Sequence, residues 1–302
     1  MRVFVTGASG HLGSAVVPDL LANGHAVIGL ARSDAAAARL TAAGAEVLRG
    51  DLADLDRLRA GAEASDGVVH LAFRHDAMQS GDLAGAAESD LAALRAIGDA
   101  LAGTDKPLVG TSGTGLLGQA GLDRTGTEAD TLPGGYRIDA ENYVIDLAGK
   151  GIRSSVVRLP IVHSDLDLTG FPRSLVGFAR EHGVAAYIDA GTNRWPAVHT
   201  LDAAALYRLA LESAPPATRL HAVAEEGVEF RRIAEAIAHG TGVPTRSVTA
   251  QEAPRYLGFL AHFVALDHPA SSTRTQALLN WTPTHPTFLE DLATPHYFTV
   301  TS

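Results

Sequence analysis

Val3-Phe4-Val5-Thr6-Gly7-Ala8-Ser9-Gly10-His11-Leu12-Gly13 decides how this chain reads. An apolar run leads straight into three glycines spaced G-x-x-G-x-x-G, and Leu12, Val16, Val17, Leu20 and Leu21 then recur at helical steps. A second apolar run, Ala26 to Leu30, follows and ends at Ala31-Arg32-Ser33. Strand, glycine turn, helix and strand make a βαβ unit, and glycines in that context point to a dinucleotide held across the turn. Gly7 lets the chain leave the strand sharply, Gly10 admits a pyrophosphate against the backbone, and Gly13 lets the helix pack closely. The helix then turns its unpaired N–H groups toward the phosphates, with Ser9, His11 and Leu12 completing the cradle.

The alternation continues outward from this unit. The alanine-rich stretch 34–43 reads as a helix that Asp34 caps and Gly44 ends. A short strand over 46–48 delivers Arg49-Gly50-Asp51-Leu52, and a helix over 54–60 precedes the apolar strand 67–72. A long helix over 83–101, a strand over 107–110, a helix over about 137–148 and a strand over 154–159 stopped by Pro160 complete the pattern. Wholly apolar strands alternating with helices indicate an α/β fold with a doubly wound parallel sheet. From about Phe171 the elements shorten. The expected division is a dinucleotide-binding domain over residues 1–165 and a smaller, mainly substrate-binding C-terminal lobe over 166–302, some of whose elements rejoin the first domain.

Composition narrows the classes of function. With 302 residues the chain can bury a substantial core, and a formal charge of −10 argues against sequence-independent binding to nucleic acid or anionic lipid. The absence of cysteine excludes disulfides, thiolate metal sites and a cysteine nucleophile. No apolar run approaches the roughly 18 to 20 residues of a membrane-spanning helix. The chain opens on a strand with no signal-peptide pattern, and the expectation is a cytoplasmic protein with a small-molecule substrate. A homodimer is left open.

Motifs further along carry a family likeness. Thr6-Gly7-Ala8-Ser9-Gly10-His11-Leu12-Gly13 resembles the T-G-x-x-G-x-x-G signature of the extended short-chain dehydrogenases/reductases, the group of NAD(P)-dependent epimerases and dehydratases. Gly50-Asp51-Leu52 is similar to the element that holds the adenine, and His70-Leu71-Ala72 to the H-x-A end of the fourth strand, which Phe73 follows. Val157-Arg158-Leu159-Pro160 resembles the L-R-P element beside the nicotinamide. Val198-His199-Thr200-Leu201-Asp202 and Leu278-Leu279-Asn280-Trp281-Thr282-Pro283 resemble two later motifs. The likeness implies that Asp51, Leu52, Leu71, Ala72, Phe73 and Pro160 touch the cofactor.

Cofactor choice is argued at the end of the second strand. An acidic residue there would bond the ribose 2′-hydroxyl of NAD; this chain has Ala31, then Arg32 and Ser33, which favour the 2′-phosphate of NADP, the alternative being a solvated Arg32 that only stacks on the adenine. The catalytic motif departs from the family. Its Tyr-x-x-x-Lys pair has only Tyr136 here, with Ala140 four residues on, and shifting by one puts Arg137 and Glu141 in the two roles. The chain holds only two lysines, Lys106 and Lys150, and neither is spaced to serve Tyr136. Tyr136 is the candidate proton donor, Ser112 or Thr114 the hydroxyl that orients a carbonyl, and His163 a substitute acid; His75 also follows the fourth strand. Both hydroxyls can equally satisfy backbone groups in a turn. No spacing suits a metal site. Arg194-Trp195-Pro196 and the stretch Tyr256 to Phe263 read as a substrate wall, or Tyr256, Leu260 and Phe263 as one helical stripe buried in the core or in a subunit interface. The expected function is NADP-dependent hydride transfer between nicotinamide and a small carbonyl or alcohol. A non-catalytic NADP-binding redox sensor and a sugar-nucleotide epimerase or dehydratase are the alternatives.

Overall fold

Val3, Phe4 and Val5 are wholly buried in β1 (Arg2–Thr6), an interior strand of the main sheet. The computed structural model describes residues 1–167 and 170–299. The chain continues through α1 (Gly13–Ala22), β2 (Ala26–Ala31), α2 (Asp34–Ala42), β3 (Glu46–Arg49), α3 (Leu55–Glu63) and β4 (Gly67–His70). A short α4 (His75–Gln79) precedes α5 (Leu83–Leu101), then β5 (Pro107–Gly113), α6 (Gly115–Gln119), α7 (Ile138–Asp146) and β6 (Arg153–Leu159). Ser33, rather than Asp34, caps α2: its hydroxyl accepts from the Ala36 N–H at 3.2 Å. Asp34 is instead the first helical residue, where its charge favours the helix dipole.

The second half supplies β7 (Ile161–His163), α8 (Phe171–His182), β8 (Ala185–Ile188), β9 (Arg194–His199), α9 (Thr200–Ser213) and β10 (Thr218–His221). It ends with β11 (Glu225–Glu229), α10 (Phe230–Thr241), β12 (Thr245–Val248), α11 (Ala253–Leu257), α12 (Ala261–Val264), α13 (Thr273–Leu279) and α14 (Phe288–Leu292). The main sheet has seven parallel strands in the order β10-β6-β5-β4-β1-β2-β3. Thus β10, from late in the chain, pairs with β6 at the sheet edge, while β7, β9 and β11 form a separate small sheet. Tyr256, Leu257 and Leu260 are buried in the apolar core that this second part builds with α8 and α10.

One polar network crosses this apolar architecture. The Glu141 carboxylate on α7 accepts from Arg158 of β6 through both oxygens, at 2.6 and 3.0 Å, and from Arg219 of β10 at 2.7 Å. Ser112 of β5 donates a fourth hydrogen bond at 2.7 Å. Arg158 is fully buried and also donates to the Asp130 carbonyl and to His221 Nε2. His221 passes its Nδ1–H to the Ser271 carbonyl; burial and then the neighbouring Arg158 charge push its pKa down to about 4, so it stays neutral and accepts.

Burial alone would raise the Glu141 pKa, but the Arg158 hydrogen bonds and charge, with those of Ser112 and Arg219, outweigh it and bring it below its ordinary 4.5. A depressed carboxyl pKa stabilises the fold above that ordinary value and loses the contribution as pH falls through the lowered one. Glu141→Gln should lower unfolding free energy at pH 7 by about 3 kcal/mol or more, because it strands a buried guanidinium. Denaturant titrations at pH 7 and below 4.5 check this: the gap between wild type and variant should shrink in acid.

Candidate active site

The C-terminal ends of the parallel strands open onto a cleft of about 1080 Å³. It lies where the chain order reverses, between β1 and β4, the place at which open α/β sheets bind ligands. The glycine turn forms its floor. Gly7 adopts φ +66°, and a Cβ there would stand 2.8 Å from the Ala72 nitrogen, so the end of β4 closes directly on the turn. A Cβ on Gly13 would stand 2.2 Å from the Gly7 carbonyl, so this glycine seats α1 against the turn itself rather than against a strand. At Gly10 a Cβ would meet only the Gly7 oxygen, at 3.2 Å; the space beyond is open. Ser9, His11 and Leu12 line the same floor, and His11 Nε2 also reaches Thr200 Oγ1 at 2.9 Å. The open backbone face at a helix start fits a pyrophosphate.

At the far end the cleft is lined by Arg32 and Ser33 after β2, Asp51 and Leu52 after β3, and Arg39 on α2. Arg39 was not picked out by sequence reasoning, because Arg32 precedes α2 and no helical spacing relates the two. Both arginines are exposed, and neither forms an ion pair among the described residues. The Ser33 hydroxyl is engaged in capping α2. Leu71, Ala72, Phe73 and Pro160 line the middle of the cleft.

Three of the four candidate catalytic residues, Tyr136, Ser112 and Thr114, line the cleft, and His163 does not. Tyr136 is half-buried in the cleft wall. Ser112 is 2% exposed with its hydroxyl given to Glu141, and Thr114 is 0% exposed with its hydroxyl turned to the Leu159 carbonyl at 3.4 Å. Both therefore satisfy internal partners rather than present a free donor. His163 is 0% exposed, lies outside the cleft lining and bonds Asp291 at 3.0 Å beneath Phe288. Its strand alternation turns it inward, because β7 is packed between β9 and the second core. His75 does line the cleft, edge-on to Phe73 with ring centroids 5.4 Å apart.

Beside Tyr136, Arg137 adopts a left-handed backbone, φ +55°, and turns its guanidinium over the Phe73 ring, 4.0 Å from its centre. It donates to the Thr111 carbonyl at 3.1 Å and lies 3.9 Å from the buried Asp90, which in turn bonds His70 and through it Thr6. Burial raises the Tyr136 pKa; the Arg137 charge pulls it back down without overcoming the burial, and Asp90 pushes it further up. Lys150 reaches only the ring of Tyr143, at 5.5 Å, because the chain tightens into a 3₁₀ turn over Leu147–Lys150. That pair is not part of the cleft. Among the described residues, no group of three or more His, Cys, Asp or Glu could hold a metal ion, and no helix is long and apolar enough to cross a membrane.

The sequence profile of the NAD dependent epimerase/dehydratase family matches residues 3–220. The chain belongs to this family. An uncharacterized protein of Schizosaccharomyces pombe is 44% identical over 301 residues, covering 99% of this chain and all of that one. The fold is similar to that of dTDP-glucose 4,6-dehydratase from Streptomyces venezuelae, solved with NAD bound, at a TM-score of 0.78 and 20% identity over 99% of this chain and 97% of the other. It is also similar to UDP-glucose 4-epimerase from Thermotoga maritima, at a TM-score of 0.75 and 18% identity over 99% and 98% of the two chains. Membership of this NAD-dependent epimerase/dehydratase family accounts for the parallel sheet and the glycine turn. The reaction depends on the cleft residues themselves.

Gly10→Val tests the cradle. The new side chain should fill the open face, raising the dissociation constant of the dinucleotide at least about thirtyfold, the scale of losing well over one good contact. Calorimetric titration and a thermal melt check it: the melting temperature should move little, because only one backbone atom lies near the built Cβ.

Proposed function

We propose that the chain is an NADP-dependent oxidoreductase that reduces a small carbonyl compound, with Tyr136 as the proton donor. The observation that carries this is the half-buried Tyr136 phenol in the cleft wall, kept protonated by its burial. The nicotinamide, when bound, supplies the hydride to the carbonyl carbon. Tyr136 gives its proton to the carbonyl oxygen, and solvent at the cleft mouth restores it. The neighbouring Arg137 acts on the phenol in the sense that a lysine would, favouring the phenolate that proton transfer leaves behind. Because burial wins, the resting group is the phenol, which suits reduction rather than abstraction of a proton from an alcohol.

The preference for NADP is supported by the pair Arg32 and Arg39, both in the cleft and both free of ion pairs among the described residues, and by Ala31 where an acidic side chain would bond the ribose. The non-catalytic sensor is the reading that would remain if the wild type bound NADPH yet reduced no carbonyl compound.

Tyr136→Phe should lower kcat by about 10²- to 10⁴-fold while the dissociation constant of NADPH stays unchanged. The wild-type reduction rate should stay level with rising pH and fall only above about pH 10, since the raised phenol pKa places loss of the donor proton beyond the ordinary tyrosine value. A falling limb centred near pH 7 would instead assign the proton to another group. For the cofactor, Arg32→Ala and Arg39→Ala should each weaken NADPH by about tenfold and leave NADH unaffected. Equal weakening of both cofactors would contradict the phosphate assignment.

A further inference from the structure

The cleft that contains Tyr136 is also lined by Phe171, Trp195, Phe263, Leu266 and His268 from the C-terminal part. Their rings form a connected row: Phe171 stands 5.4 Å from Phe263 and 6.3 Å from Trp195, and Trp195 stands 6.0 Å from His268, centre to centre. Burial pushes the His268 pKa down to about 4, so this imidazole is neutral near pH 7. Every described cleft residue from Leu159 onward is then uncharged. The nearby Arg194 is spent on Asp267, at 2.8 and 3.1 Å, and is not part of the lining. Arg74 and Arg137 are the cleft cations outside the Arg32 and Arg39 end; Arg74 is paired with Asp76, and Arg137 is bound to the Thr111 carbonyl and the Phe73 ring.

A sugar nucleotide brings a diphosphate, which needs free cationic donors in fixed geometry. This wall offers none. A row of tilted rings instead matches a flat apolar body, which gains contact area and favourable ring geometry at little entropic cost. We propose that the substrate is an uncharged carbonyl compound on an aromatic or similarly flat apolar body, seated on the partly exposed Phe171 and Phe263 rings with the buried Trp195 behind them, and not a nucleoside diphosphate sugar. The carbonyl part of this assignment rests on the reduction reading; the ligand class rests on the wall.

The full chain can be tested with 2-naphthaldehyde and propanal as substrates for NADPH oxidation. Calorimetry with 2-naphthalenemethanol and with UDP-glucose, on protein with and without NADP, measures binding separately. The expected results are a kcat/KM for 2-naphthaldehyde about a hundredfold above that for propanal, and binding of the naphthyl alcohol but not of UDP-glucose. Phe263→Ala should raise KM for naphthaldehyde about tenfold, with Phe263→Leu, which keeps the bulk but loses the flat face, falling between. UDP-glucose binding as tightly as the alcohol, or propanal reduced as efficiently as naphthaldehyde, would overturn the proposal. Alcohol binding that weakens in Phe263→Ala, with no aldehyde reduced, would remove the reductase reading and leave the ligand class standing. Turnover of propanal without alcohol binding would do the reverse.

Discussion

The Glu141 carboxylate is the constraint on which the site depends. It gathers β5, β6, β10 and α7 through Ser112, Arg158 and Arg219, and α7 begins directly after Tyr136 and Arg137. A buried ion pair is weak evidence for stability in itself, since desolvation offsets much of the attraction. What it supplies here is connection: a bidentate fork and two further donors tie α7 to three strands of the sheet. The late strand β10 is part of that clamp, so residues from the second half help hold the candidate proton donor in place.

The clamp has a chemical consequence. The extended short-chain dehydrogenases/reductases carry a lysine on this helix to lower the tyrosine pKa, whereas Glu141 faces inward and brings no cation to the cleft. The nearest positive charge is Arg137, held by a left-handed backbone and by the Phe73 ring. Its pull on Tyr136 is smaller than the effect of burial, and the phenol stays protonated.

Much of the architecture was legible because it rests on local periodicity. The glycine turn, the α5 boundaries at Leu83 and Leu101 and the order of βα units follow from apolar spacing and turn residues alone. The site was legible only in part. Arg158 was legible only as part of the element resembling L-R-P, and nothing in the spacing names Glu141 as its partner. The expected strand runs three residues further, so Ser112 falls inside β5 and Thr114 just after it, and the partner of the Ser112 hydroxyl is a carboxylate about thirty positions away. The stretch Tyr256 to Phe263 divides: Tyr256 and Leu260 are core, while Phe263 lines the cleft, because the chain turns through a short 3₁₀ segment between them.

By itself, the sequence determined that a βαβ unit opens the chain, that a parallel sheet follows, that no cysteine chemistry is available and that no lysine stands four residues after Tyr136. These are properties of neighbours along the chain, where spacing and residue type suffice. Tertiary structure alone decided that Glu141 ties α7 to the sheet, that His163 is buried against Asp291, that Arg39 and Arg32 line one cleft, and that Phe171, Trp195, Phe263, Leu266 and His268 line it too. Each of those outcomes depends on which side chains meet across the fold, and that is set by how the sheet, the helices and the small C-terminal layer pack together.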